Sequence, residues 1–267
     1  MGLDGGVFSE VERERMSHGA AWGALHGGYF ASAEVAEPLL RVLGGAVQGA
    51  RPDVVVDLGG GTGFVLSLFA DTAESDGIEL VDLDVSEGQL SEARHPRVGR
   101  VAGRIDAFGR CDVASPGERL LFLSRSTLHY FGMNGLRPVL KRISDNMEPG
   151  ECFIHQTACF DSPEEALAMN MLYEMMGTGK WYPTVRKLVE MCLDVGFSLE
   201  NVEDAPILNL DSDSLAKRYS LSPAVVADIS AAMRGFDVGA GGIFEDRGGG
   251  SFVARLRYKI FLCRKEG

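Results

Sequence analysis

Long apolar runs, paired cysteines, clustered histidines and a surplus of basic charge are all missing from this chain of 267 residues. A membrane-spanning helix needs about 20 consecutive apolar residues, and no stretch approaches that length. No apolar leader is expected either, because Glu10, Glu12 and Glu14 stand where its central region would fall. Lys and Arg number 26 against 38 Asp and Glu, a formal net charge of -12. So acidic a chain disfavours nucleic acid as the main partner, since phosphate binding needs clustered cations. The five cysteines, Cys111, Cys152, Cys159, Cys192 and Cys263, are odd in number and form no CxxC pair. They read as reduced thiols of a cytoplasmic protein rather than as disulfides or metal ligands. The five histidines are scattered, so no zinc-type spacing emerges and no metal is expected.

What is present is a glycine turn between a strand and a helix. In VVVDLGGGTGF, Val54 to Asp57 read as a short buried strand. Gly59, Gly60, Gly61 and Gly63 then make a turn too tight for residues with a Cβ. The apolar spacing from Val65 to Ala70 is helical. Backbone N–H groups at such a helix start bind anionic or polar ligand groups closely, so the turn is a candidate nucleotide-type cofactor site.

Strand and helix patterns alternate around it. Tyr29 to Val47 fits an amphipathic helix, starting late or kinked at Pro38. Ile78 to Asp84 is a second strand, and a helix follows with Ser86 as its cap. A third strand is expected to end at Asp106, and RLLFLSRS is a fourth. GLRPVLKRISDNM is a helix, ECFIHQTACF a fifth strand and SFVARLRYKIFLCRK the last. The alternation predicts an α/β fold with a doubly wound, mostly parallel, seven-stranded Rossmann-like sheet. Residues 1–50 are expected to form an N-terminal helical lid over the substrate, and 51–267 the sheet domain. Segments 163–182 and 205–250 are read as insertions over the ligand pocket, with Gly239 to Gly250 a glycine-rich loop.

Spacing narrows the cofactor. The dinucleotide fingerprint is G-x-G-x-x-G, whereas Gly59, Gly61 and Gly63 give G-x-G-x-G with Phe64 in the sixth place. A phosphate-binding P-loop would need a lysine followed by Ser or Thr, and neither is there. S-adenosylmethionine fits better, having an amino-acid tail, a ribose and a sulfonium but no pyrophosphate. Asp57 can support the turn and the tail's ammonium. Asp82 and Asp84 share a face at the end of the second strand, where an acid holds ribose hydroxyls; spacing from the turn favours Asp82.

The ordered set DLGGGTG, VDLD, IDAF, LSRSTLHYF, EPG and PTVRKLVEMCLDVGF resembles the class I S-adenosylmethionine-dependent methyltransferases over residues 54–200, most closely the small-molecule O-methyltransferases. The resemblance implies Asp82 as the ribose acid, and Asp106, Ala107 and Phe108 beside the adenine. It sets Ser124 and Arg125 on the cofactor, Arg125 standing where that family has a contacting lysine. His129 falls on its catalytic base, with S-adenosylhomocysteine as the product. Two features depart from it. Tyr130 replaces the acid after the histidine, and the position of the acid that orients the imidazole is Thr157.

His129 is therefore read either as a general base or as part of the cofactor wall. His155 reads as a core residue. The methionines Met169, Met171, Met175 and Met176 fit helix packing, although methionine also adapts to flat apolar ligands. Trp22, His26, Tyr29, Tyr130, Met175, Trp181 and Tyr182 are the candidates for the acceptor pocket. The expected partner is a small molecule, with no nucleic acid or membrane, and a homodimer is the assembly to look for. Two rival readings stay open: a nicotinamide oxidoreductase, disfavoured by the spacing and the lack of a Tyr-x-x-x-Lys pair, and a cyclase or isomerase that binds the cofactor without transferring methyl.

Overall fold

The computed structural model describes residues 28–93, 95–236 and 242–267. Trp22 and His26, and most of the residues expected to form the lid, lie outside them. Strand β1 (Val54–Leu58) is buried at all five positions, as a β-branched run covered on both faces should be. It is flanked in parallel by β2 (Glu79–Asp84) and β4 (Leu120–Arg125). Strand β3 (Val98–Ala102) pairs with β2, and β5 (Cys152–Ala158) with β4, again in parallel. The last strand, β8 (Ser251–Lys265), enters antiparallel between β5 and β6 (Phe197–Asp211). Strand β7 (Phe244–Gly248) pairs with the first part of β8 and makes the eighth strand of one sheet ordered β3-β2-β1-β4-β5-β8-β6. The doubly wound, mostly parallel architecture is the one the alternating pattern predicts. Two details differ: Asp106 lies beyond the end of β3, and part of the glycine-rich 239–250 stretch is β7.

Period-two alternation sends the strand side chains into two layers of core. Val55, Leu121 and Ile154 pack against helices α1 (Ala33–Ala50) and α2 (Phe64–Ala70), together with the later helix α5 (Pro163–Met175). Val54, Val56, Phe122 and Phe153 pack on the other face, under α4 (Gly132–Asp145) and α6 (Val185–Asp194). Between these helices, α3 (Glu87–Leu90) is a single turn capped by Ser86, whose Oγ accepts from Gln89 N–H at 3.4 Å. Helix α1 starts at Ala33, where Ser32 caps it, and continues through Pro38. Helices α7 (Ser212–Tyr219) and α8 (Pro223–Met233) follow β6. Among the described residues no helix is long and apolar enough to cross a membrane.

One charged cluster ties the lower edge of this sheet together. Arg110 donates to both carboxylate oxygens of Glu151, at 2.8 and 2.7 Å, and Glu151 also accepts from the backbone N–H of Leu120 and Glu148. The carboxylate is 3% exposed, so it depends on these donors for its ionised form. Replacing Arg110 by alanine leaves a buried charge without its counter-ion, at a cost of about 3 kcal/mol. Urea denaturation is expected to show this as a clear fall in midpoint. Arg186→Ala, which removes a surface ion pair whose arginine is 90% exposed, should leave the midpoint where it was.

Candidate functional site

The glycine turn is built by contact as well as by conformation. Gly59 leaves β1 with φ +79° and donates its N–H to Leu83 O at 2.7 Å, and a Cβ there would lie 2.7 Å from Thr127 Cγ2. Gly60 meets a harder limit. A Cβ on it would lie 2.5 Å from Asp82 Oδ1 and 2.8 Å from Asp57 Oδ2. The turn is thus laid directly on two carboxylates.

Those carboxylates are adjacent because of sheet register, which pairs Asp57 on β1 with Asp82 on β2. They are 1% and 0% exposed, and none of their four side-chain oxygens has a hydrogen-bond partner. Burial therefore pushes Asp57 up to about 7, against the opposing pull of the Arg125 charge. Burial, and then the neighbouring Asp57 and Asp84, push Asp82 up to about 9. Asp84 differs in being held: it accepts from Gly61 N–H at 3.1 Å and Ser86 N–H at 2.7 Å, and these bonds counter the upward shift that its burial causes.

Above the turn lies a cavity of about 190 Å³ at the C-terminal ends of β1, β2 and β4. Among the expected cofactor residues, Asp57, Gly59, Gly61, Asp84, Asp106 and Arg125 line it. Asp106 forms a two-pronged pair with Arg104, at 2.9 and 2.6 Å, and both face the cavity. Gly63, Asp82, Ala107, Phe108 and Ser124 are not on its wall. Phe108 is packed edge-on against Phe122 in the core, Ser124 Oγ donates to Leu58 O at 3.0 Å, and Ala107 O accepts from Arg142. Asp82 sits beneath Gly60, so of the two acids on β2 only Asp84 reaches the opening.

Several lining residues were not singled out from sequence. Phe30, Gln89, Ile105, Ser126 and Thr127 all contribute wall, as does Ser86, read only as a cap. The S-x-x-Q of Ser86 and Gln89 was a readable signal, being a helix start directly after the second-strand acid. Ser126 had none: it adopts φ +58°, held by its N–H to Gln156 O at 2.8 Å and by its Oγ paired with Tyr258 Oη at 2.7 Å. Arg125 crosses to the N-terminal segment, where its Nη1 donates to Phe30 O at 3.1 Å, and its guanidinium lies over the Tyr29 and Phe30 rings. Burial pulls its pKa down, opposed by Tyr29, Tyr258 and Asp57.

Of the expected acceptor residues that are described, only Tyr130 is on the cavity wall. His129 is 5% exposed, with its ring tilted against Tyr130, centroids 4.2 Å apart, and stacked on Tyr182 at 5.3 Å. Tyr182 in turn meets Tyr173 at 4.8 Å. Lys180, also buried, donates to Tyr219 Oη at 2.8 Å and lies over the rings of Tyr130, Tyr173 and Tyr219. Tyr29 is stacked on Tyr258 and donates to Pro206 O, while Met175 and Trp181 pack against the core from partly buried positions.

No protein-family model and no curated protein sequence matches the chain. Solved structures do. A Bacillus halodurans protein designated a methyltransferase superposes with TM-score 0.69 at 15% identity, over 88% of this chain and 100% of its own. The fold is that of the class I S-adenosylmethionine-dependent methyltransferases. A Burkholderia thailandensis 1,6-didemethyltoxoflavin-N1-methyltransferase, solved with its substrate and S-adenosylhomocysteine, has TM-score 0.55 at 17% identity, covering 97% of this chain and 89% of its own. The 4+2 cyclase SpnF has TM-score 0.54 at 16% identity, covering 86% and 82%.

The stacked acids make a pH prediction. An acid whose folded pKa is raised keeps its proton where the unfolded chain has lost it, so stability declines as pH rises through that interval. For Asp82 the interval runs from 3.8 to about 9. Asp82→Asn is expected to lessen the fall in thermal midpoint between pH 5 and pH 9 in the ligand-free protein, read by calorimetry. Parallel curves for variant and parent would show that Asp82 carries no such penalty.

Proposed function

We propose that the chain binds S-adenosylmethionine in this cavity and transfers its methyl group to a small acceptor. The observation that carries the reading is the Asp57 carboxylate, buried without a partner on the cavity wall beside Asp84 and under a turn that only glycine can make. A ligand with an ammonium and a sulfonium satisfies such a wall. Asp57 would face the ammonium of the amino-acid tail and Arg125 its carboxylate. Asp84 would hold the ribose hydroxyls, supported by its place at the opening where Asp82 is covered. Ile105 and Asp106 would border the adenine. When bound, the cofactor supplies an electrophilic methyl and a neutral leaving group; the protein supplies orientation and exclusion of water.

The ordered motifs favour an acceptor oxygen, and the rings of Phe30, Tyr130 and Phe131 on the wall favour a partly apolar, flat acceptor. Reduced thiols and the acidic surface favour a cytoplasmic setting. In this reading His129 supports the wall from behind and is not the base, because its ring lies against Tyr130 and Tyr182 and off the cavity lining. A second reading, binding of the cofactor without methyl transfer, draws support from the superposition on a cyclase.

Calorimetric titration with S-adenosylhomocysteine and with NADH is the first test. Binding of the former alone is expected, and binding of NADH alone would overturn the reading. Asp84→Ala should weaken S-adenosylhomocysteine by roughly 10- to 100-fold, the loss of a charge-assisted pair of hydrogen bonds. Asp82→Ala should cost less at pH 7.

Catalysis is tested by incubating the enzyme with S-adenosylmethionine and a panel of phenols, amines and carbon acids, with S-adenosylhomocysteine measured. Release with none, while an acceptor is rearranged, would move the assignment to the non-methylating reading. With an active acceptor in hand, His129→Ala separates its two roles. A general base contributes about 100-fold or more to turnover, whereas a wall residue leaves kcat within about tenfold.

A further inference from the structure

On the opposite face of the sheet from α1, three soft donors that are far apart in sequence meet in the core. The β5–β8 register sets Phe153 opposite Cys263 and His155 opposite Phe261. Period-two alternation puts all four on one face, so His155 and Cys263 are diagonal neighbours across the two strands. Helix α6 covers that face with Leu188, Met191 and Cys192, spaced as one helical stripe. The result is a cluster of His155, Cys192 and Cys263 that are 0%, 2% and 0% exposed, with one donor atom from each lying within 4.8 Å of the others.

The histidine is prepared as a ligand. Its Nδ1 pairs with Thr157 Oγ1 at 2.8 Å, while Nε2 is buried without a hydrogen-bond partner. The hydroxyl on Nδ1 holds the ring, and in the tautomer that donates Nδ1–H to Thr157 Oγ1 the Nε2 lone pair is left for a metal; such an outer partner is the usual companion of a ligating histidine. The ring is further held between Phe153, at 4.9 Å, and Phe261, at 4.7 Å and 12° from parallel.

We propose that His155, Cys192 and Cys263 bind one Zn²⁺, with a water in the fourth position, and that the ion clamps α6 to strands β5 and β8. Two thiolates and a neutral imidazole are a soft donor set that selects such an ion. Their charges cancel its own, which is what an apolar shell of phenylalanines demands. Zinc–sulfur bonds of about 2.3 Å and zinc–nitrogen bonds of about 2.0 Å put donor atoms roughly 3.5 Å apart, so binding asks for a closure of about 1 Å. The clamp lies one step from the cavity. Helix α6 follows directly on Trp181 to Thr184, and the Trp181 N–H donates to His129 O at 3.1 Å.

The test uses a Cys111→Ser background, which removes the exposed thiol, and protein purified from cells grown with zinc or with cobalt. After passage over a chelating resin, about one ion per chain is expected by mass spectrometry. The cobalt form should show a thiolate-to-cobalt charge-transfer band. Both should be lost in Cys192→Ala/Cys263→Ala and kept in Cys159→Ala, whose thiol lies outside the cluster. Metal-free protein from both media, or bound cobalt with no thiolate band, overturns the proposal. If the double variant does not fold, the unsubstituted sites still decide through the band and the ion count. His155→Gln, which spares both thiols, should shift the band and weaken retention of the ion; an unchanged band and ion count would remove His155 from the site and overturn the three-ligand assignment.

Discussion

Two carboxylates buried side by side under a glycine are the constraint from which the site follows. Register makes Asp57 and Asp82 neighbours, and nothing in the ladder can separate them without breaking the β1–β2 pairing. Like charges so close cannot both ionise cheaply in a low-dielectric interior, and burial already opposes each. The chain meets this with a turn that has no side chain at Gly60, with Arg125 across the opening, and with a cavity directly above. The strand order explains why the cavity is there. The chain winds outward from β1 through β2 and β3 on one side and through β4 and β5 on the other, so the crevice opens where the winding reverses.

The parts of the fold that could be read from sequence are those whose burial is two-sided. Strands β1 and β4 are near-continuous apolar runs, and β5 is buried at every position, because helices cover both faces. Strand β6 could not be read in this way. It is an edge strand bearing Glu200, Glu203, Asp204 and Pro206, with two register shifts, and such residues guard an edge against pairing with another chain at the expense of a recognisable pattern. Its pairing partner β8 lies dozens of residues later, so the strand is defined by a long-range contact and not by its own composition.

The site divides along the same line. The glycine turn and Asp57 are local features, legible because the chemistry of a tight turn is written in adjacent residues. Asp82 and Asp84 are ambiguous in sequence because period two puts both on one face. Depth along the strand separates them: Asp82 faces Asp57 within the ladder, whereas Asp84 ends β2 and is held by the backbone of Gly61 and Ser86. His129 was ambiguous for another reason. Its neighbour Tyr182 comes from beyond α5, and no spacing rule anticipates a ring contact made across some fifty positions. The same holds for His155, Cys192 and Cys263. Scattered in sequence, they argued against a metal, and only the antiparallel return of β8 brings two of them to one face.

These observations bear on how the cavity would choose its ligand. A site that merely needed to hold an adenosine group would gain nothing from Asp57, which is costly to bury ionised and has no partner in the protein. The cost becomes useful if the ligand brings its own positive charge, because each cation placed near the wall lowers the penalty that the empty fold carries. Neutral or anionic nucleotides would leave that penalty in place, and a pyrophosphate would add repulsion from Asp57 and Asp84. On the proposed reading, the electrostatic strain at the β1–β2 register would act as a filter on cofactor charge.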